Sequence, residues 1–226
     1  MLNRTLLLLW LILCACAVHS QSNFNYAFTQ NSDPYVSLSG ATELFAGQNW
    51  DEEETIIGIG FSFTFLGATF DSVNVNTDGL LAFDEQYHYV AAGNYFDLSK
   101  RSYANGTASK IQYKLEGGAG TRILKIEFDK AHVYEGAAND QVSFQIWLHE
   151  GSNKVSYHYG SSSITDLEST YEDNGGPTVG ILKMSGNGLQ LTGAAQAATA
   201  TPSTGGAQLY LTGTPTANTI YEFTPQ

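Results

Sequence analysis

The chain has 226 residues, 42% of them hydrophobic and 14% charged, with 22 Asp plus Glu against 10 Lys plus Arg. Such an excess of acid excludes nucleic acid and anionic membrane surfaces as general partners, because the summed field repels both. The two cysteines, Cys14 and Cys16, fall within the first twenty residues, so thiol catalysis, thiolate metal sites and disulfides are excluded from all that follows.

Those twenty residues, MLNRTLLLLWLILCACAVHS, carry Arg4, an apolar run from Leu6 to Leu13, and then Val18 and Ser20. The pattern predicts a secretory signal peptide over 1–20 with cleavage before Gln21, and the run is too short for a transmembrane anchor. A lipoprotein would instead be cleaved before Cys16 and acylated there, but Leu13-Cys14-Ala15 fits that processing poorly. Removing Arg4 leaves nine basic side chains against 22 acidic ones, a net charge of −13 for residues 21–226. A chain of that length can be stable through its core alone.

From residue 21 onward the chain reads as strands and turns, and apolar residues nowhere keep helical spacing for more than about two turns. Residues 24–29 and 35–38 read as short opening strands, and 48–55, with Trp50 and Asp51-Glu52-Glu53-Glu54, as a charged loop or edge. From Ile57 the alternate positions Ile57, Ile59, Phe61, Phe63 and Phe65 are apolar, the period of a strand with one core face. Val73 and Val75 then face Phe83 and Leu81 only if Thr77-Asp78-Gly79 forms a three-residue loop closed by a left-handed Gly79. Residues 85–108 lack a clear period and read as a long excursion or a pair of short edge strands.

Further on, Ile111, Tyr113 and Leu115 read as an inward row, paired across the turn 116–120 with Leu124, Ile126 and Phe128. Val142, Phe144, Ile146 and Leu148 form the next row, and Val155, Tyr157 and Tyr159 the one after. A two-residue Gly151-Ser152 turn would set Leu148 against Val155, Ile146 against Tyr157 and Phe144 against Tyr159. Trp147, His149, Lys154, Ser156 and His158 then share the opposite face. Residues 179–184, 189–191, 209–211 and 220–223 supply closing strands, and the low-complexity stretch 192–206 between them reads as a mobile loop. The class is all-β: one domain over 21–226, a two-sheet antiparallel β-sandwich of jelly-roll type, with about a dozen strands and no substantial helix.

Three blocks carry a family resemblance: IGFSFTFLGATFDSVNVNTDGLLAF, the stretch from IQYKLEGG through RILKIEF to VSFQIWLHEGSNKVSYHYG, and LTGTPTANTIYEFTP. Together they cover nearly the whole chain after the signal. In this it resembles the N-terminal β-sandwich module of secreted Bacteroidetes surface proteins, many exported by the type IX system; the first block also suits nidogen-like extracellular domains. The resemblance implies a cell-surface or matrix-associated module with no assigned activity and transfers no catalytic residue. Such proteins continue into a C-terminal sorting domain, whereas this sequence stops at Phe223-Thr224-Pro225-Gln226, which makes the periplasm the alternative destination.

Several constellations bear on chemistry. Glu127-Phe128-Asp129 is similar to the carboxylate strand of sandwich-fold glycosidases, but the later acid of that pattern is His132 here. A retaining mechanism needs two carboxyls about 5 Å apart beside the sugar, and Glu127 and Asp129 read instead as solvated outward residues. Trp147, His149 and His158 form the best ligand patch, since an indole beside polar donors can stack on a sugar ring. His149 and His158 lack a third metal ligand at recognisable spacing. Asp166, Glu168, Glu172 and Asp173 share one loop and offer the hard oxygens that calcium takes, against the simpler reading of solvated charge. Asn105-Gly106-Thr107 fits the N-glycosylation pattern, which is usually idle in bacteria. No other cofactor chemistry is signalled. The expected function is therefore non-enzymatic, a secreted or cell-surface binding and adhesion module for glycan or protein surfaces. A glycan hydrolase and a purely structural envelope protein are the alternatives.

Overall fold

The computed structural model describes residues 25–172, 174–183, 187–204 and 207–226. The expected signal peptide, its cleavage point, Cys16, Phe24 and Met184 lie outside that range. The strands are β1 (Tyr26–Ser32), β2 (Thr42–Leu44), β3 (Glu54–Phe65), β4 (Ala68–Asn76), β5 (Leu80–Ala82), β6 (Tyr89–Tyr95), β7 (Leu98–Ser99) and β8 (Lys110–Glu116). They continue with β9 (Ile123–Val133), β10 (Gln141–His149), β11 (Val155–Tyr159), β12 (Thr178–Lys183), β13 (Asn187–Ala194), β14 (Thr199–Thr204), β15 (Leu211–Thr212) and β16 (Thr219–Pro225). Helix is confined, among the described residues, to one turn, α1 (Leu167–Thr170), and a 3-10 turn at Ala195–Ala197. None of it is long and apolar enough to cross a membrane.

The strands form two sheets packed face to face. Sheet I runs β1-β16-β11-β10-β9-β8-β2 with β7 beside β9, and sheet II runs β14-β13-β12-β6-β5-β4-β3 with β15 parallel to β13. The inward rows interdigitate between them. In β3 the alternation is complete, with Ile57, Ile59, Phe61, Phe63 and Phe65 buried and their neighbours exposed. Phe63, Phe65 and Phe83 stack there, with ring centroids 4.4 to 6.3 Å apart. The β4–β5 register is the one the three-residue loop requires: Val75 faces Leu81, and Gly79 has φ 82°. A Cβ on Gly79 would lie 2.5 Å from the Asn94 carbonyl oxygen, which adds a steric reason for glycine. The ladder stops at Asn74–Ala82, one pair short of Val73–Phe83.

The β10–β11 register also matches, Leu148 to Val155, Ile146 to Tyr157 and Phe144 to Tyr159. Its turn is wider than two residues, because left-handed Asn153 (φ 52°) donates its amide to the His149 carbonyl while His149 N–H bonds Lys154. Leu115, expected inward, is 42% exposed at the end of β8, where it lies against Gly60. Of the closing strands, the expected 209–211 is shorter and shifted, with β15 at Leu211–Thr212, whereas the expected 220–223 extends to Thr219–Pro225 in β16.

Three segments differ in kind from the sequence expectation. Residues 85–108 hold two short strands, one of the two expected alternatives, but β6 is a central strand of sheet II between β5 and β12 and not an edge, and β7 joins sheet I beside β9. The small residues of β6 hide the period: a Cβ on Gly93 would sit 2.9 Å from both Ile146 Cγ1 and Phe144 Cε2 of the facing sheet. Within the expected loop 192–206, residues 192–204 are not free, since β13 continues to Ala194 and β14 pairs with it from Asn187–Thr204 to Thr192–Thr199. Ala195 is fully buried, and its carbonyl accepts from Tyr221 Oη and Gln30 Nε2. Residues 35–38 are not a strand at all; they cross the outer face of sheet I as a strap.

Candidate functional site

Outward residues of sheet I, and Asn218 just before β16, bind that strap through its backbone. Tyr35 N–H donates to Asn218 Oδ1 at 3.0 Å, Gln145 Nε2 donates to the Val36 carbonyl at 2.9 Å, and Lys114 Nζ to the Ser39 carbonyl at 2.9 Å. At the centre lies Glu127, which is 0% exposed. Its Oε1 accepts from Tyr35 Oη at 2.7 Å and Gln145 Nε2 at 2.8 Å; its Oε2 accepts from Leu38 N–H at 3.1 Å and Gln112 Nε2 at 2.5 Å. The strap thus gains from side chains the hydrogen bonds that a strand would take from a neighbour. Burial, and then the Glu127 carboxyl, push the Tyr35 phenol far above its usual range. The expectation of a solvated Glu127 is therefore corrected. Asp129 is half-buried and held above the usual carboxylate range by desolvation. His132 is buried, with Nδ1 2.8 Å from the Asp140 carbonyl and Nε2 2.9 Å from Arg101.

Beside the strap, β10 and β11 bring Trp147, His149 and His158 together. The Trp147 and His158 rings stack at 3.7 Å and 19°, His149 lies 6.1 Å from the indole, and Trp147 Nε1 donates to Gln145 Oε1 at 2.7 Å. Ser156 Oγ lies 2.9 Å from His149 Nε2 and 3.0 Å from His158 Nε2, so one hydroxyl bridges the two imidazoles. Burial lowers His149 to about 4, helped by Lys154, and His158 to about 3, helped by His149, which leaves both neutral near pH 7. Across the pair from Trp147 on β9, Lys125 places its Nζ 4.0 Å from the indole centroid. With Lys125 arriving from β9 and His158 from β11, the indole is not the open stacking platform the sequence suggested; it walls a cleft of about 280 Å³. The strap residues 33–39 form the other wall, and Glu116, Lys125, Gln145, Trp147 and His158 line the sheet side.

The acidic loop does not gather in the same way. Asp166 caps α1, accepting from Glu168 N–H at 3.1 Å and Ser169 N–H at 3.4 Å. Glu168 is exposed, Asp173 lies outside the described residues, and Glu172 lines a separate cleft with Glu52, Asp78 and Asp97. Among the described residues no three His, Cys, Asp or Glu side chains stand together as a metal site. In that second cleft, burial and then Glu52 and Asp97 push Asp78 up to about 7. The sequence held no signal for this meeting of distant acids, nor for the strap, because both depend on which loops the sheets bring together.

A protein-family model described as NIDO related matches residues 25–225. No curated protein and no solved structure matches the chain.

Proposed function

The chain belongs to the NIDO-related family, an extracellular type of module, and from that premise we propose a non-enzymatic binding and adhesion role, with a glycan as ligand in the strap cleft. One observation carries the reading: a cleft of about 280 Å³ whose wall joins the edge of the Trp147 indole to the Lys125 ammonium and the His158 ring, with the buried Gln145 side chain, bonded to Val36, Glu127 and Trp147, bracing it from behind. Such a mixture of apolar wall and convergent polar groups suits a sugar. The absence of catalysis is supported by Glu127, whose two oxygens already accept four hydrogen bonds and which is closed off from solvent. Secretion to a bacterial surface, as in the type IX-exported proteins, rests on the sequence resemblance.

The test is a glycan array on residues 21–226, with calcium and with EDTA, beside Trp147→Ala. We expect captured glycans whose signal falls at least about tenfold in the variant, a loss of roughly 1.4 kcal/mol. A folded protein that captures no glycan, with melting unchanged by EDTA, would remove both the glycan and the calcium readings and leave a structural envelope role.

A further inference from the structure

At the mouth of the cleft Glu116 bridges two ammonium groups. Its Oε1 is 2.9 Å from Lys114 Nζ and its Oε2 is 2.7 Å from Lys125 Nζ. Each lysine has an anchor that does not involve Glu116: Lys114 donates to the Ser39 carbonyl of the strap, and Lys125 lies over the Trp147 ring. Glu116 has no such second anchor among the described residues. It is the last residue of β8, followed by left-handed Gly117 (φ 92°), and its side chain is 37% exposed against 33% for Lys114 and 15% for Lys125. The two cations are therefore each held by a second contact with the scaffold, while the anion between them is the member without one and so the replaceable one. Lys125, and then Lys114, hold the Glu116 carboxyl below the usual carboxylate range, so it is an anion between two cations at neutral pH.

Resting on the glycan reading above, we propose that the ligand of this cleft is an acidic sugar, a uronic-acid type of residue whose carboxylate takes the place of Glu116 between Lys114 and Lys125. The sugar body then lies between the strap and the Trp147 edge, within hydrogen-bonding reach of the polar groups that line the cleft. The net charge of −13 does not oppose this. Long-range repulsion acts on polyanions, whereas a single carboxylate between two ammoniums interacts well inside a screening length of about 8 Å. Glu116 is in this view a tethered competitor that keeps the site closed to weak anions.

Titration calorimetry with short oligosaccharides that carry one uronic residue, their neutral counterparts and a Glu-rich peptide tests the assignment on wild type, Glu116→Gln, Lys114→Ala and Lys125→Ala. The wild type should prefer the acidic sugar to the neutral one and ignore the peptide. Glu116→Gln should tighten acidic-sugar binding alone, by roughly three- to tenfold, and each lysine variant should weaken it, with added salt acting in the same direction. Lys114→Ala leaves the Trp147 cover in place, so its result stands even where Lys125→Ala lowers the melting temperature. Neutral and acidic sugars bound equally, no gain in Glu116→Gln, or capture of the peptide in preference to sugar would each overturn the acidic-sugar proposal while some binding role survived. Failure of every sugar with every variant would overturn the glycan reading itself.

Discussion

At the scale of single residues, Glu127 departs furthest from what its neighbours in sequence imply. An acidic side chain is almost never fully buried unless its acceptors are satisfied, and here four donors from β8, β10 and the strap meet the requirement. Glu127→Ala would leave those donors facing one another across a cavity. It should cost about 3 kcal/mol, seen as a fall in Tm of roughly 6–12 °C for a domain of this size, with faster hydrogen exchange at the Leu38 amide. Asp129→Asn is the contrast. Its carboxyl is already disfavoured as an anion by desolvation, so the neutral amide should change Tm by little. Equal losses in the two variants would refute the central role of Glu127. Its position on β9 was readable from sequence, and its burial was not, because the covering residues lie 89 to 92 positions earlier in the chain.

At the scale of elements, β6 and the strap show two ways in which local pattern misleads. The central place of β6 is hidden because Ala91, Ala92 and Gly93 give no large apolar period, although Ala91 and Ala92 are fully buried. Small residues there let β6 approach β10, and the Gly93 carbonyl accepts the Tyr159 hydroxyl. Gly93→Ala should therefore cost about 1–3 kcal/mol by overpacking, measured by urea unfolding, whereas Gly58→Ala, with open space around its Cβ position, should cost under about 1 kcal/mol. Similar values for the two would mean that the sheets yield at Gly93. In the strap the error ran the other way, since residues 35–38 have a strand-like pattern but no neighbouring backbone to pair with. The low-complexity 199–204 segment was misjudged on composition, which ignores that an edge strand needs a backbone ladder more than a core.

For the whole molecule, the buried titratable groups set opposing slopes of stability against pH. His149 and His158 stay neutral in the folded chain to about 4 and 3, while in the unfolded chain they protonate below about 6.5. The unfolded state then binds more protons in that window, so stability falls as pH drops from about 6.5 toward 3. Asp78 has the opposite sign: folded near 7 against 3.8 as its ordinary value, it holds a proton in the folded state, and its contribution is lost as pH rises through 7. Between pH 4 and 6.5 the two imidazoles outweigh the single carboxyl, so melting should rise across that range to a maximum at about 7, and Asp78→Asn should steepen the rising limb. A variant curve parallel to wild type would show that Asp78 does not set that limb. By itself the sequence determined the all-β class, the inward rows and the registers Val75–Leu81 and Leu148–Val155, because alternation and turn length act between near neighbours. It also placed Trp147, His149 and His158 on one face. Only the tertiary structure decided that this face is roofed by residues 33–39, that Lys125 and His158 close on the indole, and that Glu116 sits between two lysines at the mouth. Those contacts join segments far apart in the chain, where no local period constrains which side chains will meet.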